Sequence, residues 1–253
     1  MSLASIPKVE IEIPSLPSEI IEYEIAKWLD AFSDLVLIGK TCKKYQKLWR
    51  LWVKKLPCFV LEKCDDKRLA SFTALTTLTL GWSENITDSG LTPLTSLTTL
   101  YLGWNNNITD SGLAPLTSLT TLHLGLNSKI TGSGLAPLTS LTTLNLGYVN
   151  EKITDFGLAP LTSLTTLYLG GNDKVTDSGL APLTSLTTLY LEYNKNITDS
   201  GLAPLTSLTT LYLDANENIT DSSLSTLIKL TTLHGLNKKI TNLEKNPILS
   251  THF

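Results

Sequence analysis

From Phe72 almost to the C-terminus the chain repeats itself with a step of 22 residues. The copies begin at Phe72, Leu94, Leu116, Leu138, Leu161, Leu183, Leu205 and Leu227, and only the copy from Leu138 to Pro160 carries an extra residue. A unit this short cannot enclose its own apolar face. Copies must therefore stack along one axis and bury that face against each other.

Within one copy the apolar residues Leu94, Leu97, Leu100 and Leu102 are spaced three, three and two. Leu100-Tyr101-Leu102 alternates as a strand does, with the leucines on one face and Tyr101 on the other. The β-branched Thr98 and Thr99 favour the same extended state. Stacked copies then form a parallel sheet whose strands centre on Leu78, Leu100, Leu122, Leu144, Leu167, Leu189, Leu211 and Leu233. Asparagines follow each strand at Asn105, Asn127, Asn150, Asn172, Asn194, Asn216 and Asn237. Their amides can bond main-chain groups of their own loop and of the next copy, as a structural ladder. In the longer copy the extra residue is expected to bulge after Leu146, leaving Asn150 in the ladder. Ile108 returns to the core, Asp110 suits the cap of a short turn, and Pro115 stops that turn from growing. One or two turns of 3₁₀- or α-helix are expected on the convex side.

This LxxLxLxxN pattern resembles the leucine-rich repeat over about 170 residues. The resemblance implies an α/β fold: a right-handed solenoid with a curved parallel sheet and short convex turns. Asn-x-x-Ile-Thr-Asp-x-Gly-Leu is similar to the repeats found beside F-boxes, whereas the short period and the proline are similar to bacterial internalin-type repeats. On this reading residues 72–240 are eight coils, the last degenerate. Residues 57–71 form a capping repeat with a strand at Phe59-Val60-Leu61 and Cys64 in the asparagine position, and residues 241–253 form a C-terminal cap.

Residues 1–15, with Pro7 and Pro14 around alternating Val9 to Ile13, read as a flexible extension. Residues 16–56 read as three helices rich in aliphatics and tryptophan. There Leu16-Pro17-Ser18-Glu19, Ile25, Leu29, Asp34-Leu35 and Thr41-Cys42-Lys43-Lys44-Tyr45 resemble an F-box. Tyr45 stands in the usual tryptophan place, Thr41 replaces valine, and the link from Leu29 to Asp34 is a residue longer without its proline. The resemblance implies that Leu16, Pro17, Glu19, Ile20, Leu35, Cys42, Lys43 and Tyr45 dock a Skp-type adaptor of a cullin ubiquitin ligase, inside a eukaryotic host cell. The chain would then be a substrate receptor. The alternative is a helical cap on a leucine-rich-repeat binding module with no ubiquitin role.

Composition narrows the classes. No run of eighteen apolar residues exists, so no membrane span is expected. Three cysteines, Cys42, Cys58 and Cys64, do not suit a disulfide scaffold. Up to Ala70 there are 12 basic and 10 acidic residues (+2); beyond it there are 8 and 13 (−5). An acidic solenoid is a poor nucleic-acid binder. The three histidines lack partners at ligand or triad spacing, so no catalytic residue, metal or cofactor is expected. Asp88, Asp110, Asp155, Asp177, Asp199 and Asp221 recur as a column that Gly132 interrupts, and each reads as a turn cap.

The informative surface is the sheet face opposite the leucines. Between the two strand leucines lie Thr79, Tyr101, His123, Asn145, Tyr168, Tyr190, Tyr212 and His234. Two positions further on lie Trp82, Trp104, Leu126, Tyr148, Gly171, Tyr193 and Ala215. Glu192 and Asp214 add charge where earlier copies have glycine. Tyr101, Trp104, His123, Tyr168, Tyr190, Glu192, Tyr193, Tyr212 and Asp214 are the candidate partner-binding residues, suited to an extended protein segment with apolar and basic side chains. The other account of the aromatic column is stacking for stability.

Overall fold

A computed structural model describes residues 55–56 and 64–241, apart from Trp82, Tyr148, Val149, Leu236 and Asn237. Nine parallel strands follow one another in chain order across a single sheet. They are β1 (Lys55–Leu56), β2 (Thr77–Thr79), β3 (Thr99–Tyr101), β4 (Thr121–His123), β5 (Thr143–Asn145), β6 (Thr166–Tyr168), β7 (Thr188–Tyr190), β8 (Thr210–Tyr212) and β9 (Thr232–His234). Leu56, Leu78, Leu100, Leu122, Leu144, Leu167, Leu189, Leu211 and Leu233 are matched one to the next. The register passes through the longer copy without a slip, because a slip of one residue would turn every leucine to water. The strand leucines Leu78 to Leu211 are fully buried, as are Ile86, Ile108, Leu94 and Leu97.

Each copy from Phe72 to the one that begins at Leu205 closes with one four-residue helix on the far side, such as Asp110–Leu113 or Asp177–Leu180. The first lies at Asp66–Leu69. The strand that pairs with β2 is Lys55–Leu56, not Phe59–Leu61. Leu56 stands 22 residues before Leu78, so the capping coil keeps the full step and begins inside the segment assigned to the helical domain. By the same step Cys64 corresponds to Ile86 rather than to an asparagine. It is buried as a small apolar group would be, and burial raises its thiol pKa. The adaptor residues Leu16, Pro17, Glu19, Ile20, Leu35, Cys42, Lys43 and Tyr45 lie outside the described residues, as do Asn237 and the tail from 242.

Three side-chain columns bind coil to coil. The amides of Thr98 and Thr99 both donate to the Thr76 carbonyl, and the Thr98 hydroxyl donates to the same oxygen at 3.1 Å. The hydroxyl bond recurs at every junction up to Thr231 on Thr209. The first threonine of each pair thus does more than favour extension.

The asparagine column runs through the buried interior. Asn127 Nδ2 donates to the Asn105 carbonyl, Asn172 to Asn150 at 3.0 Å and Asn194 to Asn172 at 2.7 Å. Asn105 reaches the Ser83 and Ile86 carbonyls. Asn150 keeps its place and reaches the Asn127 carbonyl at 3.3 Å. The Oδ1 atoms of Asn105, Asn172, Asn194 and Asn216 each accept the amide two residues on, shaping the turn.

The aspartate column differs from the sequence expectation of a local cap. The cap is the preceding threonine: extended Thr109 accepts the Ser111 amide on its hydroxyl. Asp110 begins the helix and sends its carboxylate to the next coil, where it accepts the Thr131 amide at 2.7 Å and the Thr131 hydroxyl at 2.6 Å. The same two-bond clasp joins Asp88 to Thr109, Asp155 to Thr176, Asp177 to Thr198 and Asp199 to Thr220.

The clasp explains the recurrent glycine two residues after each aspartate. A Cβ on Gly112 would lie 2.3 Å from Asp88 Oδ1. Where Ser223 replaces that glycine, its hydroxyl donates to Asp199 Oδ1 at 2.7 Å. Burial opposes the charged form of Asp199, yet the bonds from Ser223 and Thr220 outweigh it and hold the carboxyl below the usual range.

A depressed carboxyl pKa contributes stability above the unfolded value, about 3.9, that is lost as pH falls through the folded value. Ser223→Ala should therefore lower unfolding stability by about 1 kcal/mol at pH 7. The gap from the wild type should shrink in urea melts at pH 3 and below.

Candidate functional site

The second and fourth residues of each Leu-x-Leu-x run decide what the outer sheet face presents, since the leucines point inward. Tyr168, Tyr190, Tyr212 and His234 sit on neighbouring strands and stack, with ring centroids 4.1, 4.2 and 4.5 Å apart and planes within 14° of parallel. Tyr101 and His123 form a second, shorter stack at 4.5 Å. Asn145 separates the two.

Stacking changes what the column can offer. Ring faces that could attract Lys or Arg cover each other, so Tyr190 has a ring against both of its faces. The strip therefore presents ring edges and hydroxyls. Burial raises the Tyr190 pKa above its usual value, and hydroxyl hydrogen bonds with Tyr168 and Tyr212 raise it further. Burial lowers that of His123.

The loop after the strand takes two forms. In the first four coils the residue after the second leucine is a glycine with φ between 57° and 70°: Gly81, Gly103, Gly125 and Gly147. A Cβ on Gly125 would lie 2.0 Å from the Gly103 carbonyl oxygen, so no other residue fits that column. In the fifth to seventh coils positive φ moves one residue along, to Gly171, Tyr193 and Ala215. The loop bonds reverse with it. Trp104 N donates back to the Gly81 carbonyl, whereas Gly171 N and Tyr193 N donate forward to the carbonyls of Glu192 and Asp214. The second form frees the first loop position for side chains, and Glu192 and Asp214 occupy it. Burial raises the Glu192 pKa, and the charge of Asp214 on the next coil adds to that.

Glycine content alone does not say which residue carries positive φ, so the repeat pattern does not reveal this turn switch. A tyrosine at φ 58° costs about 1 kcal/mol relative to glycine. Tyr193 is 60% exposed, Trp104 54%, Leu126 41% and Tyr101 37%. These four of the exposed large apolar side chains stand on the outer face or its adjoining loop. Of the other exposed ones, Phe156 lies in the far-side helix Asp155–Leu158 and Ile228 in the turn that leads to β9.

Among the described residues no group of His, Cys, Asp and Glu could hold a metal ion, and no helix is long and apolar enough to cross a membrane. The surface offers hydroxyls, ring edges, two carboxylates and exposed apolar rings, without an assembled nucleophile and base.

The family described as Leucine Rich repeat matches residues 94–117, 116–138, 161–183 and 183–206. Among solved structures, internalin C2 of Listeria monocytogenes str. 4b F2365 is 34% identical, over 70% of this chain and 78% of that one, with TM-score 0.58. An internalin (inlF) of the same strain is 33% identical over 76% of this chain and 64% of that one, with TM-score 0.60. TLR13, in a complex with ssRNA13, is 22% identical over 67% of this chain and 26% of that one, with TM-score 0.54, a likeness of fold alone. No curated protein matches the chain.

The Tyr190 pKa has a direct readout. In an alkaline titration followed at 295 nm, one tyrosine should resist ionisation near pH 11, where exposed phenols have titrated. Tyr190→Phe should remove that late component. A raised phenol pKa also means that stability falls as pH rises above about 10.

Proposed function

The chain belongs to the leucine-rich-repeat family, and from that premise we propose that it is a non-enzymatic module whose outer sheet face holds a protein partner. The observation that carries this reading is Tyr193. A bulky ring is kept in the left-handed region, where glycine would be unstrained, and most of it is left in water. Folding gains nothing evident from that choice, and strain retained at an exposed side chain points to use. Tyr193 stands beside Glu192, Asp214 and the tyrosine column. The partner segment would place an apolar group on Tyr193, basic groups on the two carboxylates, and polar groups on the hydroxyls of Tyr168, Tyr190 and Tyr212. Trp104, Tyr101 and His123 would add a second contact area.

The F-box-like residues motivate a second reading, in which the solenoid brings a substrate to a cullin ligase and raises its effective concentration there. It rests on the motif from Leu16 to Tyr45 and carries the intracellular location with it. The internalin likeness favours the simpler binding module.

Tyr193→Gly separates binding from folding. It should raise stability by up to about 1 kcal/mol through relief of strain. It should weaken capture of the partner by about 1–3 kcal/mol, read as proteins retained by the immobilised wild type and lost with the variant. If the same proteins remain bound to Tyr193→Gly and to the triple alanine variant at Tyr168, Tyr190 and Tyr212, the partner does not use this face. For the ligase reading, Leu16→Ala with Pro17→Ala should abolish capture by a purified Skp-type adaptor at an unchanged melting temperature. A chain that unfolds instead marks both residues as core.

A further inference from the structure

We infer that the solenoid is not one cooperative unit but two blocks, joined weakly through the coil that begins at Leu138. In a stack where each coil touches only its neighbours, cooperativity is the chain of junction strengths, and the stack parts at its weakest junction. Departures from the repeat gather at this coil's two junctions.

The aspartate clasp is missing between the third and fourth coils. Gly132 stands where the aspartate should be, and Thr154, which would receive it, also makes no side-chain cap bond to its own helix. In place of the clasp, Gly132 and Gly157 bring the two backbones together; a Cβ on Gly157 would lie 2.3 Å from Gly132 Cα. The asparagine ladder is stretched at the same place. Asn150 makes a 3.3 Å bond, and its Oδ1 is buried without a hydrogen-bond partner. Its neighbours Asn127 and Asn172 each hold the amide two residues on.

A cleft of about 40 Å³ opens beside Asn150, lined by Leu126, Asn127 and Ser128. That is room for water next to an unpaired acceptor. The ring column stops on both sides of Asn145, whose Oδ1 is turned to the Gly147 amide instead. The loop form switches between the fourth and fifth coils, and the strand-end bond Leu146 N to the Tyr168 carbonyl is 3.2 Å, against 2.8–2.9 Å at the other junctions. What remains across the seam between the third and fourth coils is the threonine column, the strand ladder, the long Asn150 bond and the glycine contact.

The blocks differ in what they present. The first carries the Tyr101–His123 stack with Trp104 and Leu126, and the second carries the Tyr168–Tyr190–Tyr212–His234 stack with Glu192, Tyr193 and Asp214. The two contact areas of the outer face are thus borne on elements that can open separately. The inference itself rests on the coil junctions and not on any partner.

Hydrogen exchange by mass spectrometry on the full chain tests it. Peptides spanning residues 138–160 should exchange at least about tenfold faster than the equivalent peptides over 183–204, with slower blocks on either side. Restoring an aspartate at Gly132 is blocked, because a Cβ there would lie 2.9 Å from Gly157 N. A second seam can be made instead. Asp177→Ala removes the clasp on Thr198 and should bring the residue 177–200 region to the fast rate while leaving the first three coils unchanged. Equal protection of 138–160 and 183–204 in the wild type would overturn the inference. So would an Asp177→Ala chain whose exchange rises evenly along its whole length, or does not rise at all.

Discussion

Stacking in a common 22-residue register is the constraint from which the rest follows. No coil can bury its leucines alone, so each must lie on the next with like residue over like. That turns every local feature into a column. A leucine becomes a core, a threonine becomes a row of hydroxyls on carbonyls, and an asparagine becomes a ladder. A favourable bond is then gained at every junction, and an unfavourable contact would be repeated just as often. The recurrent glycines show the second side. Gly112, Gly134, Gly179 and Gly201 all face an aspartate from the coil before, and any Cβ would meet its carboxylate. Aspartate and glycine are therefore one choice made across two coils.

Much of the fold could be read from the sequence because its determinants are local and periodic. Leucine spacing places the strand centres, and the three residues from Leu102 to Asn105 place the ladder. The misreadings share a cause: they concern partners one coil away. Asp110 has the look of a cap in its own segment, while the group it binds, Thr131, lies 21 residues on. Phe59-Val60-Leu61 looks more like a strand than Lys55-Leu56, although only Leu56 keeps the step to Leu78. Similarity of pattern competed there with constancy of period, and period is the stronger constraint in a stack.

The candidate site was legible as a set of positions and not as a surface. The sequence identifies which residues alternate with the leucines, and so which ones face outward. It does not reveal that adjacent rings at strand spacing collapse onto each other, or that the loop changes form after Gly147. Both follow from backbone direction, through the 4.1–4.5 Å ring separations and the shift of positive φ from Gly147 to Gly171. The expectation of a cation resting on tyrosine faces fails for that geometric reason, since a stacked face has no room for a second ligand.

The division of labour among repeat positions bears on function. Leucine, asparagine, aspartate, glycine and the first threonine are committed to neighbouring coils, and changing any of them breaks a column. The residue between the strand leucines and the second one after them are free of that duty, and both vary along the chain. Tyr168, Tyr190 and Tyr212 occupy such positions yet stack as tightly as the committed residues, so their uniformity has a structural account. Tyr193 has none. It lies in no ring stack among the described residues, it is the bulky residue among the three that hold positive φ at this loop position, beside Gly171 and Ala215, and its backbone is strained. Identity among coils marks what stacking requires. A bulky, exposed side chain held at a backbone cost is therefore better evidence for a contact with another molecule than the more conspicuous tyrosine row beside it.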